Sequence, residues 1–73
     1  MERITRQNLD TRADFVSTML RGSLHVEAQG RSGYIGLDLY DAHGCVRTLA
    51  TGTKREIYAY LGAMLDALEI VGR

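Results

Sequence analysis

The segment GTKREIYAYLGAMLDALEIV, from Gly52 to Val71, combines a helix-start signal with a long apolar stripe. Thr53 and Glu56 have the T-x-x-E spacing of a capping box, in which each side chain accepts a hydrogen bond from an otherwise unpaired amide. The apolar residues that follow recur with helical spacing, namely Ile57, Leu61, Met64, Leu65, Leu68 and Val71. This segment therefore predicts a C-terminal amphipathic helix against which the rest of the chain packs.

A second helix is predicted near residues 6 to 21. Its apolar stripe recurs at steps of four, three and four, and consists of Leu9, Ala13, Val16 and Leu20, flanked by Phe15 and Met19. Thr5 is the predicted N-cap, with Ile4 and Leu9 placed as a hydrophobic staple around it. Gly22 predicts the end of this helix.

Three strands are predicted between the helices. Apolar residues alternate with polar ones in two stretches, with Leu24, Val26 and Ala28 in the first and Ile35, Leu37 and Leu39 in the second. Glycine-containing turns at residues 30–33 and 41–44 separate the strands. A third strand at residues 45–50 needs a bulge, because Val46 and Leu49 cannot otherwise share a face. The predicted fold is α+β, ordered α-β-β-β-α, with both helices on one face of a three-stranded antiparallel sheet.

Length and composition limit the possible functions. The chain of 73 residues is too short for two cores, so residues 1–73 form one predicted domain, and a homo-oligomer would supplement its small core. The formal net charge is zero, which argues against a strongly electrostatic nucleic-acid binder. The polar N-terminus and the lack of a long apolar run predict a cytoplasmic protein without a membrane span.

Residues capable of catalysis are few. His25 and His43 are the only histidines and Cys45 is the only cysteine, and their spacing matches no metal site. His25 lies on the polar side of a predicted strand, where a solvated surface is the preferred interpretation over acid–base chemistry. Cys45 is interpreted as a half-buried filler. We therefore expect no enzyme activity, no metal and no cofactor.

The polar side of the predicted sheet is one candidate partner surface. Tyr34 and Tyr40 project from it with Gly36 between them, and His25, Glu27 and Asp38 share the same side. Tyrosine is enriched at interfaces because it has an apolar ring and a polar tip. A solvated face with cross-strand tyrosines is an equally good interpretation.

The side of the last helix opposite its leucine stripe is a second candidate. It carries Ala59, Gly62, Ala63 and Asp66, followed by Ile70, where a surface helix usually carries more charges. Small residues allow another backbone to approach, and Gly62 costs about 1 kcal/mol relative to Ala in a helix. The preferred interpretation is that this side binds a second copy or another partner. The alternative is that the helix tolerates these small residues and they have no function.

Three basic residues give the nucleic-acid alternative. Lys54 and Arg55 begin the last helix, where cations oppose the helix dipole, and Arg31 lies in the first hairpin turn. Such residues fit an anionic partner, although exposed cations commonly serve solubility alone.

The α-β-β-β-α order, the Gly-Thr-Lys-Arg-Glu helix start at residues 52–56 and the alanines at 59, 63 and 67 resemble the double-stranded-RNA-binding domain. That resemblance implies RNA contacts by the first hairpin loop and the start of the last helix. The chain departs from the family at Tyr58, where a lysine is expected, and in a loop that lacks the family's proline and histidine.

The C-terminal half also resembles small orphan proteins of tailed bacteriophages and prophages. The residues that carry this resemblance are Gly33-Tyr34, the Thr53-to-Glu56 helix start and Gly62-Ala63-Met64. It implies an accessory protein in a bacterial cytoplasm and implies no particular activity.

Two functions follow as hypotheses. The preferred one is a non-enzymatic, self-associating interaction protein that binds a host or phage macromolecule. The alternative is a nucleic-acid-binding module that uses Arg31, Lys54 and Arg55.

Overall fold

The computed structural model describes residues 3–72 of the chain. In chain order it contains helix α1 (Arg6–Met19), strands β1 (His25–Arg31), β2 (Tyr34–Asp41) and β3 (Gly44–Gly52), and helix α2 (Lys54–Val71). The three strands form one antiparallel sheet in the order β1-β2-β3. The predicted α+β fold, with its α-β-β-β-α order, is confirmed.

The core lies between the helix pair and one face of the sheet. Its most deeply buried side chains are Leu9 and Val16 of α1, Leu37 of β2, and Ile57 and Leu61 of α2. The alternation in β1 and β2 directs the remaining core residues to the same side, namely Val26, Ala28 and Ile35. Burial of this apolar surface is the main favourable term in the folding free energy.

Both helices begin with a capping box. At α2, Thr53 Oγ1 accepts a hydrogen bond from the Glu56 amide at 3.2 Å, and Glu56 Oε1 accepts one from the Thr53 amide at 3.0 Å. This confirms the signal in the sequence. At α1, Thr5 is the N-cap as predicted, but Asn8 takes the place of the usual Glu or Gln, and its Oδ1 accepts from the Thr5 amide at 2.9 Å.

The helix ends differ from the prediction. Helix α1 ends at Met19, with Leu20 as an extended C-cap, so Gly22 lies beyond it at φ +71° instead of ending the helix. The stripe predicts Val71 in the core, which is wrong, because this residue is 80% exposed. Only Ile57 and Leu61 of α2 are fully buried, and Met64, Leu65 and Leu68 pack at the edge of the core. Leu24 precedes β1 and is exposed, not a core residue.

Strand β3 contains two register shifts relative to β2. Leu37 pairs with Ala50 and Asp38 with Thr48, which leaves Leu49 as an extra residue. A second shift leaves Val46 extra, between the residues that pair with Leu39 and Tyr40. The predicted bulge is therefore present, and it occurs twice. Leu49 packs against the core, whereas Val46 is half exposed.

Helix α1 covers the free edge of β1. Ser17 Oγ accepts a hydrogen bond from the Val26 amide at 3.0 Å, and its single proton is donated to the Ala13 carbonyl at 2.8 Å, with the Val26 carbonyl 3.3 Å away. Arg6 Nη2 donates to the Ala28 carbonyl. Side chains of α1 thus satisfy backbone groups that a neighbouring strand would otherwise bind. In the described part of the chain, neither helix is long and apolar enough to cross a membrane.

Candidate functional site

The face of the sheet opposite the helices, called the outer face here, gathers most of the residues singled out in the sequence. The register places His25 opposite Tyr40, Glu27 opposite Asp38, and Arg31 opposite Tyr34. Alternation along each strand sends these side chains to the same side. The prediction that Tyr34 and Tyr40 share a face with His25, Glu27 and Asp38 therefore agrees with the pairing.

Asp38 is the centre of the outer face, and it is buried. Its side chain accepts a hydrogen bond from Arg31 Nη2 at 2.8 Å and another from Thr48 Oγ1 at 2.7 Å. The residue is only 3% exposed, although it was expected on a solvated polar surface. The bond from Arg31, and then the bond from Thr48, hold the pKa of the Asp38 carboxyl below its usual range. Asp38 therefore stays ionised and paired at neutral pH.

Gly36 provides the space in which Arg31 lies. A Cβ at position 36 would lie only 2.7 Å from Arg31 Cζ, so any larger residue would displace the guanidinium. The gap predicted between Tyr34 and Tyr40 is consequently filled by the Arg31 side chain. The hydrogen bond to Asp38 in turn raises the pKa of Arg31.

His25 and Tyr40 form an ordered aromatic pair beside this ion pair. Their rings are stacked with centroids 5.1 Å apart and planes within 9°. Nε2 of His25 lies 3.2 Å from Oε2 of Glu27, which holds the imidazole in place. Desolvation, followed by the charges of Asp38 and Glu27, raises the pKa of the Tyr40 hydroxyl. Tyr40 is thus a neutral hydrogen-bonding group at neutral pH.

The outer face is therefore a preorganised surface with polar and aromatic groups. Tyr34 is its most available aromatic side chain, at 44% exposed. Surfaces whose side chains are already fixed lose less conformational entropy when a partner binds. The arrangement is suited to recognition by contact and hydrogen bonding.

The other residues considered for chemistry are dispersed. Cys45 is exposed, contrary to the expectation of a half-buried filler. His43 lies in the β2–β3 turn, where its amide donates to Asp41 Oδ1 at 2.7 Å. Among residues 3–72, no three histidine, cysteine or acidic side chains converge as metal ligands would.

Gly62 has a neighbour that the sequence did not predict. A Cβ at this position would lie 2.9 Å from Arg12 Nη1, so the Arg12 guanidinium rests against the glycine. The expectation that Gly62 lies bare on the outside of α2 is wrong, since it is half-buried beside α1. Ala59, Ala63 and Asp66 are exposed as expected. Their role in binding a partner stays a prediction.

An open groove separates α1 from α2 on the side away from the sheet, with a volume of about 490 Å³. Arg12 lies in it with Cζ 3.6 Å from the centroid of the Tyr58 ring, a cation–π contact, and Nη1 3.4 Å from the Tyr58 carbonyl. The lining consists of Gln7, Asn8, Thr11, Arg12, Phe15, Tyr58 and Leu65. Sequence reasoning missed Arg12, because its partners lie on the other helix and no local pattern points to them.

A shallower hollow of about 350 Å³ joins the first hairpin to the start of α2. Arg31, Tyr34 and Lys54 line it together, so the structure brings two of the three predicted nucleic-acid-binding residues to one place. Arg55 is exposed and lies outside this lining. The charge of the hollow is reduced by Asp38, which pairs with Arg31.

Comparison with known proteins found no matching family model, no matching curated protein and no matching solved structure.

Proposed function

We propose that this protein is a non-enzymatic interaction domain that binds a protein partner through the outer face of its sheet. The observation that carries the proposal is the buried Asp38 carboxylate, paired with the exposed Arg31 on the same face as Tyr34 and Tyr40. A carboxylate that is 3% exposed requires compensation, and the compensating groups hold the surrounding surface in one arrangement. The helices leave this surface uncovered in the described chain, so it is available to another molecule.

The proposal includes self-association of the chain and a role in a bacterial cell. A domain of this size has a small core, and burial against a second copy would add to its stability. The resemblance of the C-terminal half to small phage and prophage proteins supports an accessory role in a bacterial cytoplasm. The partner is then a host or phage macromolecule.

Tyrosine substitutions test the outer face. The tagged wild-type chain would be used to capture partners from bacterial lysate, alongside Tyr34→Ala and Tyr60→Ala. Tyr60 is the matched control, because it is exposed to a similar degree, 38% against 44%, but lies on α2. We expect Tyr34→Ala to lose a partner that the wild type and Tyr60→Ala retain. Equal capture by Tyr34→Ala would contradict binding through the outer face.

A second candidate function, binding of nucleic acid, is favoured by the hollow that joins Arg31, Tyr34 and Lys54. A base can stack on Tyr34 while Lys54 contacts a phosphate. Gel shifts with double-stranded RNA and DNA at low and moderate salt test it, because phosphate contacts strengthen at low salt. Binding at low salt that Lys54→Glu abolishes would support this function, and no binding at low salt would exclude it.

A further inference from the structure

We propose that two copies of this chain associate through their helix faces, with Arg12 of each copy paired to Asp66 of the other. This inference rests on the self-association proposed above and specifies its surface. The surface comprises the groove between α1 and α2, together with the adjoining outward side of α2. It lies on the opposite side of the molecule from the outer face, so both surfaces can be occupied together.

Arg12 lies against α2 and lacks a carboxylate partner in the described chain. The ring and carbonyl of Tyr58 orient its guanidinium in the groove. Ion pairs within residues 3–72 join Arg6 to Asp10, His25 to Glu27 and Arg31 to Asp38, and Arg12 takes part in none of these. A guanidinium has five N–H donors, and within residues 3–72 one of those of Arg12 has an acceptor, the Tyr58 carbonyl. Its charge and several donors are therefore available to an acidic group from outside.

Asp66 supplies the complementary charge on the same surface. Asp66 follows Gly62 by four residues, so both lie on the same side of α2, one turn apart. The Arg12 guanidinium lies against Gly62, and Asp66 is therefore one turn further along the same side. Asp66 is exposed, and within residues 3–72 it forms no ion pair with Arg12 or another cation. Within residues 3–72 this surface thus presents one cation and one anion that are not paired with each other.

That arrangement is self-complementary. In a two-fold dimer the same patch occurs on both sides of the interface, so every contact is made twice. A two-fold axis between Arg12 and Asp66 brings each guanidinium opposite the other copy's carboxylate. The formal net charge of zero means that two copies do not repel one another overall.

Apolar side chains at the groove would also be buried when two copies associate. Phe15 borders the groove and is 61% exposed, an unusual degree for a phenylalanine. Tyr58 and Leu65 add apolar surface beside Arg12, whereas polar residues of α1 line the rest of the groove. Aromatic residues and arginine are common among the residues at the centre of protein interfaces that contribute most to binding.

Charge reversal in separate copies tests the proposal. Arg12→Asp gives a surface with two anions and Asp66→Arg one with two cations, so each variant alone is expected to weaken its own dimer by about tenfold or more. An equimolar mixture of the two variants restores both opposite-charge pairs, and we expect heterodimers in sedimentation and in native mass spectrometry. Glu27→Arg on the outer face is the control and should dimerise as the wild type does.

Each result has a defined meaning. Heterodimers that form only on mixing support the proposal, and dimers that are unchanged in both single variants overturn it while leaving self-association standing. A wild-type chain that stays monomeric at every concentration overturns self-association itself. If Arg12→Asp does not fold, Phe15→Glu serves in its place, because this exposed residue is not needed for the core. Its dissociation to a folded monomer is expected, and an unaltered dimer would overturn the surface.

Discussion

Arg31 Nη2 donates a 2.8 Å hydrogen bond to Asp38 Oδ2 on the side of the sheet opposite both helices. The pair joins the end of β1 to the middle of β2, and Thr48 extends it to β3. A single carboxylate thereby links all three strands through side chains. These side-chain hydrogen bonds hold the outer face in one arrangement, although no helix packs on it.

Removing the charge of Asp38 should destabilise the fold. We expect Asp38→Asn to lower the free energy of unfolding at pH 7 by about 2 kcal/mol, because a charge-assisted hydrogen bond is lost while part of Arg31 remains in water. Urea denaturation measures the change. Asp14→Asn, at an exposed position of α1, is the control and should behave as the wild type does.

The same pair should make stability depend on pH. The folded-state pKa of Asp38 is lowered, so its stabilisation is present above the unfolded pKa of about 4 and is lost as pH falls through the folded value. The gap between the wild type and Asp38→Asn should therefore shrink in acid. Denaturation midpoints of both proteins at a series of pH values test this expectation, and a gap that stays constant down to the lowest pH would contradict it.

Replacing Gly36 should destabilise the fold only when the Arg31 side chain is present. The Cβ of Gly36→Ala would displace the guanidinium, and we expect a cost on the order of 1–2 kcal/mol from this overpacking. In an Arg31→Ala background the space is vacant, so the same substitution should cost little. A double-mutant cycle in urea measures this coupling. Equal costs in both backgrounds would show that Gly36 is needed for another reason.

Ser17 should protect the edge of β1. Its hydroxyl oxygen accepts from the Val26 amide at 3.0 Å, while its single proton is directed to the Ala13 carbonyl at 2.8 Å, so Ser17→Ala leaves the Val26 amide without a partner. We expect a loss of about 1–3 kcal/mol and faster hydrogen exchange of the Val26 amide. Thr18→Ala removes a hydroxyl that bonds only within α1, and this neighbouring control should leave the exchange rate of Val26 unchanged.

Replacing Gly62 should stabilise the monomer. Alanine gains about 1 kcal/mol in helix propensity, and the atom that its Cβ meets is the mobile end of Arg12. We expect Gly62→Ala to raise the melting temperature and the converse change, Ala63→Gly, to lower it. A lower melting temperature for Gly62→Ala would show that Arg12 cannot move aside.

Local signals in the sequence predicted much of the fold. The start of α2 was predictable because Thr53 and Glu56 act on each other within one turn. The faces of β1 and β2 were predictable because alternation depends only on neighbouring positions. Asn8 was missed as a capping-box residue because the usual pattern at that position is Glu or Gln.

The arrangement of the candidate sites depends on contacts between elements. The burial of Asp38 requires Arg31 from β1 and Thr48 from β3, which no spacing rule brings together. Gly62 looked bare because its neighbour, Arg12, belongs to the other helix. Val71 fits the stripe of α2 by period, but the helix extends beyond the part of the core that could bury it.

The two edges of the sheet have a consequence for aggregation. An incoming chain in a growing fibril needs an edge with evenly spaced, unbound amides and carbonyls. Ser17 and Arg6 occupy such groups along β1. The extra residues Val46 and Leu49 interrupt the even spacing along β3. The native protein therefore offers a poor template for cross-β growth, and a concentrated sample should remain free of fibrils as long as α1 stays in place.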